Sequence, residues 1–283
     1  MDTPARPTKL VRADPGKTSP HKDGLRRLSG WQVQWRVVDA LVYRELRTRV
    51  SDVKGGFLGV LMQPLGLIII WLAFLAILNA HRGGSLHVFL FLSSGIVLFT
   101  IFSQVTGRSL VAMEANEALL FYKPVKPIDT VIARTFCETG LYTCCLLVLC
   151  VATWIMLNQV FMYDIGLFFA SILLTSVIAF SVGLIFMVAS HLVPGFKVVG
   201  IWVPRFLWFL SGVAFRYWLF PPWTHPFFKW NPLTHVIELN RKSMTSDYFT
   251  PDANLGYASA SAIILLVVSL WIYYNNEHKL LTL

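Results

Sequence analysis

Long stretches without charge alternate with short polar segments along most of this chain. A helix needs about 20 residues to cross the ~30 Å hydrocarbon core of a bilayer. Six stretches reach that length with few or no charges: Phe57–Asn79, Leu86–Gly107, Thr139–Gln159, Ile165–Ser190, Val198–Leu219 and Gly256–Asn275. Backbone polar groups in lipid need partners within the segment, and these stretches lack the alternation of β-barrel strands. We therefore predict an all-α membrane protein with six transmembrane helices over residues 55–283.

The first 54 residues follow another pattern. Residues 1–29 combine proline, lysine, arginine, threonine and serine with almost no apolar content, which predicts a disordered tail. Over residues 30–54 the apolar positions recur at steps of three and four: Trp35, Val38, Val42, Leu46, Val50 and Val53. The basic residues lie off this stripe, so we predict an amphipathic helix in the headgroup layer. A simple stop signal ahead of the first span is the alternative.

Composition supports a membrane protein, and the distribution of charge predicts its orientation. The chain is 55% hydrophobic, with a mean hydropathy of +0.61 and a net charge of +9. In a soluble chain this charge would suggest a nucleic-acid partner, but twelve of the 24 lysines and arginines precede residue 57. Basic residues collect on the cytoplasmic side of membrane proteins. We therefore predict that both termini are cytoplasmic and that no nucleic acid is bound.

A polar knob, Leu110–Tyr122, separates the second and third spans on the predicted cytoplasmic side. Its helix formers and the prolines that follow predict a short helix and then an extended elbow. The knob could be a plain connector, or it could fit a groove in a soluble partner. Just beyond it, Arg134 and Glu138 are one helical turn apart, which predicts an ion pair between them.

Two arginines interrupt the fifth predicted span. Arg205 and Arg216 are eleven residues apart, which would place them on one face of a continuous helix, about 16 Å apart. An arginine inside a bilayer is costly, so this face is predicted to line a wet or anionic path together with Trp202 and Trp208. The alternative for Arg216 is that it reaches the outer headgroups.

Aromatic residues crowd the following loop, which includes Trp218 and Trp223. Such rings form belts at membrane surfaces, but flat rings also stack on sugars, so either role is open. Asn231 and Pro232 are typical of an N-cap and first helical position. They predict a short re-entrant or interfacial helix before the last span.

The sequence offers no set of residues for catalysis, for a metal site or for nucleotide binding. Gly16-Lys17-Thr18 resembles the end of a phosphate-binding loop, but Val11 stands where that motif needs glycine. The histidines are scattered over both predicted sides, and the spans hold no nucleophile with a base. We therefore predict that the chain is not an enzyme and that active transport would need a separate motor.

Three motifs together resemble the membrane subunit of bacterial capsular polysaccharide exporters, in the type-two ABC exporter permease superfamily. They are "LVYRELRTRV" followed by "GFLGVLMQPLGLIIIW", then "MEANEALLFYKPVKPIDTVIAR", and finally "WNPLTHVIELNR". The resemblance covers residues 31–283. It implies a permease domain, a homodimer with the glycan path at its axis, and a re-entrant pair over Pro221–Tyr248.

The resemblance also implies the partners. Each copy would dock one cytoplasmic ATPase, which would bind ATP and magnesium, through residues of the interface helix and the knob. These coupling residues are Arg44, Glu45, Arg47, Glu114, Asn116, Glu117 and Tyr122. Periplasmic and outer-membrane export proteins are further expected partners, and the bacterial inner membrane is the expected location. Permeases for O-antigen or teichoic acid, a passive channel and a small-solute carrier remain alternatives.

Overall fold

A computed structural model describes residues 30–51, 56–77, 86–120, 125–157 and 162–281. The predicted tail 1–29 and Tyr122 lie outside these residues. The described residues form eleven α-helices: α1 Gly30–Ser51, α2 Phe57–Ile77, α3 Val88–Ser109, α4 Ala112–Ala115, α5 Glu117–Leu120, α6 Pro127–Leu157, α7 Ile165–Leu192, α8 Phe196–Leu210, α9 His225–Trp230, α10 Pro232–Met244 and α11 Leu255–Leu281. Two 3₁₀ turns, Tyr217–Leu219 and Pro222–Thr224, lie between α8 and α9.

The all-α membrane architecture is confirmed. Five of the described helices are long and apolar enough to cross a bilayer: α2, α3, α6, α7 and α11. They coincide with five of the six predicted spans. The interface helix was predicted over residues 30–54, and α1 occupies Gly30–Ser51 of that stretch. Its depth relative to a membrane stays a prediction.

The prediction of a continuous helix over Val198–Leu219 was wrong. Helix α8 ends at Leu210 after 15 residues, which is about 22 Å of helix and less than the ~30 Å of a bilayer core. Gly212 then adopts a positive φ of 61°, a conformation that interrupts a right-handed helix. The six predicted spans therefore correspond to five long helices and one short helix, α8.

Helix α3 forms the centre of the structure. It packs against α2, α6, α7, α8 and α10, and its side chains are buried from Leu90 to Phe102. Small residues allow close contact at its last turns, where Gly183 of α7 lies against Ser109. The remaining long helix, α11, packs chiefly on α7.

Helix α10 is an interior helix. Eleven of its 13 residues are buried, and it packs on α3, α7 and α11. The predicted N-cap is confirmed, because the Asn231 side chain accepts a hydrogen bond from the Leu233 amide at 3.0 Å. The side-chain amide of Asn240 donates to the Ser171 hydroxyl of α7 at 2.8 Å. Two short helices, α9 and α10, thus precede the last long helix, and their re-entrant or interfacial position in a membrane stays a prediction.

Two ends of the molecule are named here by their side chains. The basic end contains the last turn of α3, the knob and the first turns of α6 and α8, with Arg108, Arg134 and Lys197. The aromatic end contains the 3₁₀ turns and α9, between Tyr217 and Trp230. The long helices connect these two ends.

Candidate transport surface and its coupling contacts

Helix α8 presents most of its side chains outward. Gly200 and Pro204 are its buried residues, whereas Trp202, Phe206 and Phe209 are between 51% and 66% exposed. The guanidinium of Arg205 lies 4.7 Å from the centroid of the Trp202 ring. A cation over an indole face is attracted by the ring quadrupole and remains available to anions. This face of α8 therefore combines aromatic rings with a positive charge.

Arg205 and Arg216 do not share a helix face, which corrects the prediction. Arg216 follows the end of α8 and precedes the first 3₁₀ turn. Its guanidinium lies 5.4 Å from the ring centroid of Phe91 in α3. The prediction failed because it assumed a helix that continues to Leu219. Arg205 alone lies on the exposed surface of α8.

The predicted path tryptophans divide into exposed and packed residues. Trp208 stacks on Trp71 of α2, with the ring centroids 5.0 Å apart and the planes 29° apart. Trp218 lies against Tyr248 and Phe249. Trp202 and Trp223 are exposed. The exposed pair is free to contact a substrate from this chain's surface, whereas the packed pair also holds the local fold.

Two grooves continue the α8 surface toward the aromatic end. One has a volume of about 790 Å³ and is lined by Phe209, Phe220, Trp223 and Phe227 among others. The second, of about 550 Å³, shares Phe227 with the first. Both are bounded by the last turn of α8. The last turn of α8 and the rings of the aromatic end therefore form one apolar surface, and Arg205 lies one helical turn before Phe209 of this surface.

A buried arginine of α10, Arg241, holds the segment that follows α8. Arg241 is fully buried and donates hydrogen bonds to the carbonyl oxygens of Gly212 at 3.0 Å and Val213 at 2.6 Å. It also contacts the Phe91 carbonyl of α3 and forms an ion pair with Glu238 at 2.7 Å. These hydrogen bonds hold the segment that follows the end of α8 against α3 and α10.

A second polar group joins the aromatic end to α11. Asp252 accepts a hydrogen bond from the Tyr217 hydroxyl at 2.7 Å and pairs with Lys229 at 2.9 Å. Burial acts to raise the pKa of Asp252, but the bonds from Tyr217 and Lys229 outweigh it, and the pKa lies below its ordinary value. Burial and the bond to Asp252 raise the pKa of Tyr217. This group keeps α9 close to the start of α11.

An ion cluster at the basic end joins α1 to α3 and α6. Its members are Glu45, Arg49, Arg108, Arg134 and Glu138. Glu45 pairs with Arg108 at 2.6 Å and with Arg134 at 3.3 Å. Glu138 pairs with Arg108 at 2.5 Å and with Arg49 at 3.3 Å. Both carboxylates are buried, so the three arginines balance charges that would otherwise be costly to bury.

This cluster changes two predictions. Arg134 and Glu138 were expected to pair with each other, but each instead pairs with α1, and Glu138 also with α3. The buried face of α1 contains Val38, Leu41 and Glu45, so it is rotated from the predicted stripe. Sequence reasoning missed Arg49 and Arg108 here, although an ionisable residue close to a span is a signal that a partner exists.

The predicted coupling residues occupy different environments. Arg44 of α1 donates a hydrogen bond to the side chain of Asn116, which is buried in the knob. Glu114 forms an ion pair with Lys197 at the start of α8. Glu45 is buried in the ion cluster, and Arg47 and Glu117 are exposed. The structure thus brings Arg44 and Asn116 together and gives Glu45 an internal partner.

Five long apolar helices, a charged end and an exposed aromatic and cationic helix are the features of a multi-pass membrane protein. The chain belongs to the ABC-2 type transporter family, which it matches over residues 36–245. The family expected from the sequence motifs is therefore confirmed.

Relatives within this family have named functions. The chain is 34% identical over 257 residues to the polysialic acid transport protein KpsM of Escherichia coli, covering 90% of this chain and 98% of KpsM. It is 26% identical over 243 residues to the capsule polysaccharide export inner-membrane protein CtrC of Neisseria meningitidis serogroup A, covering 84% and 90%. The capsule polysaccharide export inner-membrane protein BexB of Haemophilus influenzae is 25% identical over 250 residues, covering 86% and 92%.

Proposed function

We propose that this chain is the transmembrane subunit of an ATP-driven exporter that moves capsular polysaccharide across the bacterial inner membrane. Family membership and the names of KpsM, CtrC and BexB support this substrate class. The single observation that carries the proposal is the exposed surface of α8, where Arg205 lies over the Trp202 ring. Rings and a guanidinium are the groups that suit a chain of sugars bearing carboxylates.

The cytoplasm is assigned to the basic end. The cluster of Arg49, Arg108 and Arg134 supports this assignment, as do the twelve lysines and arginines that precede residue 57 in the sequence, because lysine and arginine collect in short cytoplasmic loops. Both termini are then cytoplasmic. The aromatic end faces the periplasm, where its exposed rings such as Trp223 meet the headgroup layer or export proteins of the periplasm and outer membrane.

Energy comes from partner subunits. Two copies of the chain pair across an axis, and each copy docks one cytoplasmic ATPase that binds ATP and magnesium. The exposed residues Arg47 and Glu117 are the contacts proposed for the ATPase, whereas Glu45 transmits force inside the chain through Arg108 and Arg134. A buried ion pair suits this role because its two helices cannot separate cheaply.

The path for an acidic, lipid-linked glycan runs along α8. The guanidinium of Arg205 offsets the cost of removing a sugar carboxylate from water, and the rings of Trp202 and Phe206 let the chain slide without strong binding. The packed Trp208 and Trp218 hold the walls of the path. Arg216, close to Phe91, lies at the outer limit of the same path.

The experiment measures surface glycan in cells that carry Arg205→Ala, Arg205→Lys or Trp202→Ala. Arg205→Ala and Trp202→Ala should lower surface glycan about tenfold, as expected for loss of ~1–2 kcal/mol of cation–π and ionic contact. Arg205→Lys should retain most export because it keeps the charge. Arg36→Ala, an exposed arginine of α1, is the matched control. Normal glycan in Arg205→Ala, with the protein and its ATPase still assembled, would refute the assigned path.

A further inference from the structure

The knob and the first turns of α8 meet in a compact contact that no predicted role explained. Glu114 forms an ion pair with Lys197, one residue after the start of α8. Leu110 packs on Gly200 so closely that a Cβ at Gly200 would overlap the leucine methyl groups. The hydroxyl of Ser190, near the end of α7, donates to the Leu110 carbonyl at 2.8 Å. These five residues are called the knob–α8 joint.

The apolar part of the joint fixes the distance between its two elements. Gly200 is buried, and Leu110 is 3% exposed. Because glycine lacks a side chain, the knob approaches the backbone of α8 with only the leucine between them. A leucine held in such a hole resists sliding along α8, since close-packed contacts have few alternative arrangements. A displacement of the knob therefore displaces the first turns of α8.

The polar part fixes the direction of approach. Both partners of the Glu114–Lys197 pair are at least 39% exposed in their side chains, and ion pairs with this exposure contribute little to stability. The pair thus sets where the knob lies along α8, although the chain does not need the pair in order to fold. This property allows its charges to be exchanged in an experiment without unfolding the chain.

The opposite end of α8 is held by different elements. The Leu210 carbonyl accepts hydrogen bonds from Asn231 at 3.1 Å and Thr234 at 3.2 Å. Arg241 holds the next carbonyls, those of Gly212 and Val213. Between these anchors and the joint, α8 packs on α3 and α7 and stacks Trp208 on Trp71 of α2, whereas its outward side chains, Arg205 among them, are exposed. Helix α8 is therefore a lever with a fixed outer end and an inner end attached to the knob.

We propose that the knob–α8 joint transmits movement of the knob directly to α8, and that Lys197, Gly200 and Leu110 are positioning residues for export. This inference rests on the proposed function, in which an ATPase contacts the knob and the glycan contacts α8. When the ATPase shifts the knob, the joint turns α8 about residues 210–213. Arg205 and Trp202 then change their distance from the path.

The first test exchanges the charges of the pair. Glu114→Lys, Lys197→Glu and the double exchange are reconstituted in vesicles with the partner ATPase, and exported glycan is measured per ATP hydrolysed. Each single variant should lower this ratio about fivefold, at the low end of typical coupling energies. The double exchange should restore it, because the pair is re-formed. Wild-type ratios in both single variants, or no recovery in the double exchange, would overturn the inference.

The matched control is the ion pair of Lys126 and Glu277, 3.4 Å apart. It also lies at the basic end and is partly exposed, but it joins the residues before α6 to α11 rather than to α8. Lys126→Glu should leave the ratio unchanged. An equal loss in Lys126→Glu would mean that any charge reversal at this end disturbs the ATPase, and the inference would fail.

The second test changes the apolar contact. Gly200→Ala should lower the ratio because its Cβ pushes Leu110 away, and adding Leu110→Val should recover it by removing volume. No recovery in this double variant would count against the joint. Failure of the joint differs from failure of the proposed function: a wild-type chain that neither binds an ATPase nor exports glycan refutes the function, whereas normal coupling in the variants refutes only the joint.

Discussion

Replacing Arg241 should cause one of the largest losses of stability available in this chain. Its guanidinium is fully buried, pairs with Glu238, and lies 3.6 Å from the ring centroid of Phe91. Arg241→Met keeps the apolar volume but leaves the Glu238 carboxylate buried without its ion pair to Arg241. Removing one partner of a buried ion pair typically costs about 3–5 kcal/mol. In a chain of this size each kcal/mol of lost stability lowers the thermal midpoint by about 2–4 °C, so the midpoint of Arg241→Met should fall by about 6–20 °C.

The assay is thermal unfolding of the purified protein in detergent, followed by size-exclusion chromatography of the surviving fraction. Glu238→Leu combined with Arg241→Met should regain most of the loss, because apolar replacements of a whole buried pair are often neutral. Lys229→Met breaks the exposed pair with Asp252 and serves as the control, with an expected cost of about 0–1 kcal/mol. The reasoning is refuted if Arg241→Met matches the Lys229→Met control, or if the double variant is no better than Arg241→Met.

Three further predictions concern close packing, acid stability and the attachment of α1. Gly95→Ala should destabilise the fold by about 1–3 kcal/mol, because its Cβ would overlap Val213 and Arg241. Gly66→Ala is the control, since a Cβ there has no neighbour within 4 Å, and the thermal midpoints of the two variants are compared. The pKa of Asp252 is lower in the folded chain than its ordinary value of about 3.9. Its ionised carboxylate therefore stabilises the fold above that pH, and the stabilisation is lost as the pH falls through the folded pKa. The midpoint difference between wild type and Asp252→Asn should therefore be present at neutral pH and disappear in strong acid; a constant difference contradicts it. Glu45→Gln should weaken the attachment of α1 to α3 and α6 by about 3–5 kcal/mol, which hydrogen exchange should detect as faster exchange in α1. Asp39→Asn, at an exposed position of α1, is the control and should leave this exchange unchanged.

The length of the uncharged stretches predicted the five long helices well, because span length and apolarity are local properties. The same reasoning failed at the end of α8. The apolar run continues past Leu210 through Gly212 and Val213, and Gly212, whose positive φ ends the helix, is a local stop signal that the length of the run outweighed. The path of the chain after the stop depends on Arg241, which lies far along the chain and binds the carbonyls of Gly212 and Val213. A local reading of the sequence cannot reveal such a contact.

The candidate site was predicted less completely for a similar reason. Arg205 and Trp202 lie together because they are three positions apart on a helix that does form, and their place on a substrate path stays a prediction. Arg134 and Glu138 satisfied the same spacing rule, yet each found partners on α1 or α3. Spacing along one helix shows which side chains can meet, but tertiary packing decides which do. Lys197 and Gly200 gained their proposed roles only through neighbours that the knob supplies.

The ion cluster has a consequence for biosynthesis. Glu45 of α1 is translated first, but its partner Arg134 follows roughly 90 residues later, about 5–20 s at typical bacterial or cellular elongation rates. During this interval α1 has a carboxylate whose final partners on α3 and α6 have yet to be made or inserted. The amino-terminal helix is thus among the first segments to leave the ribosome, yet it cannot reach its final place until α6 has been made, and a nascent chain stopped before α6 carries it undocked.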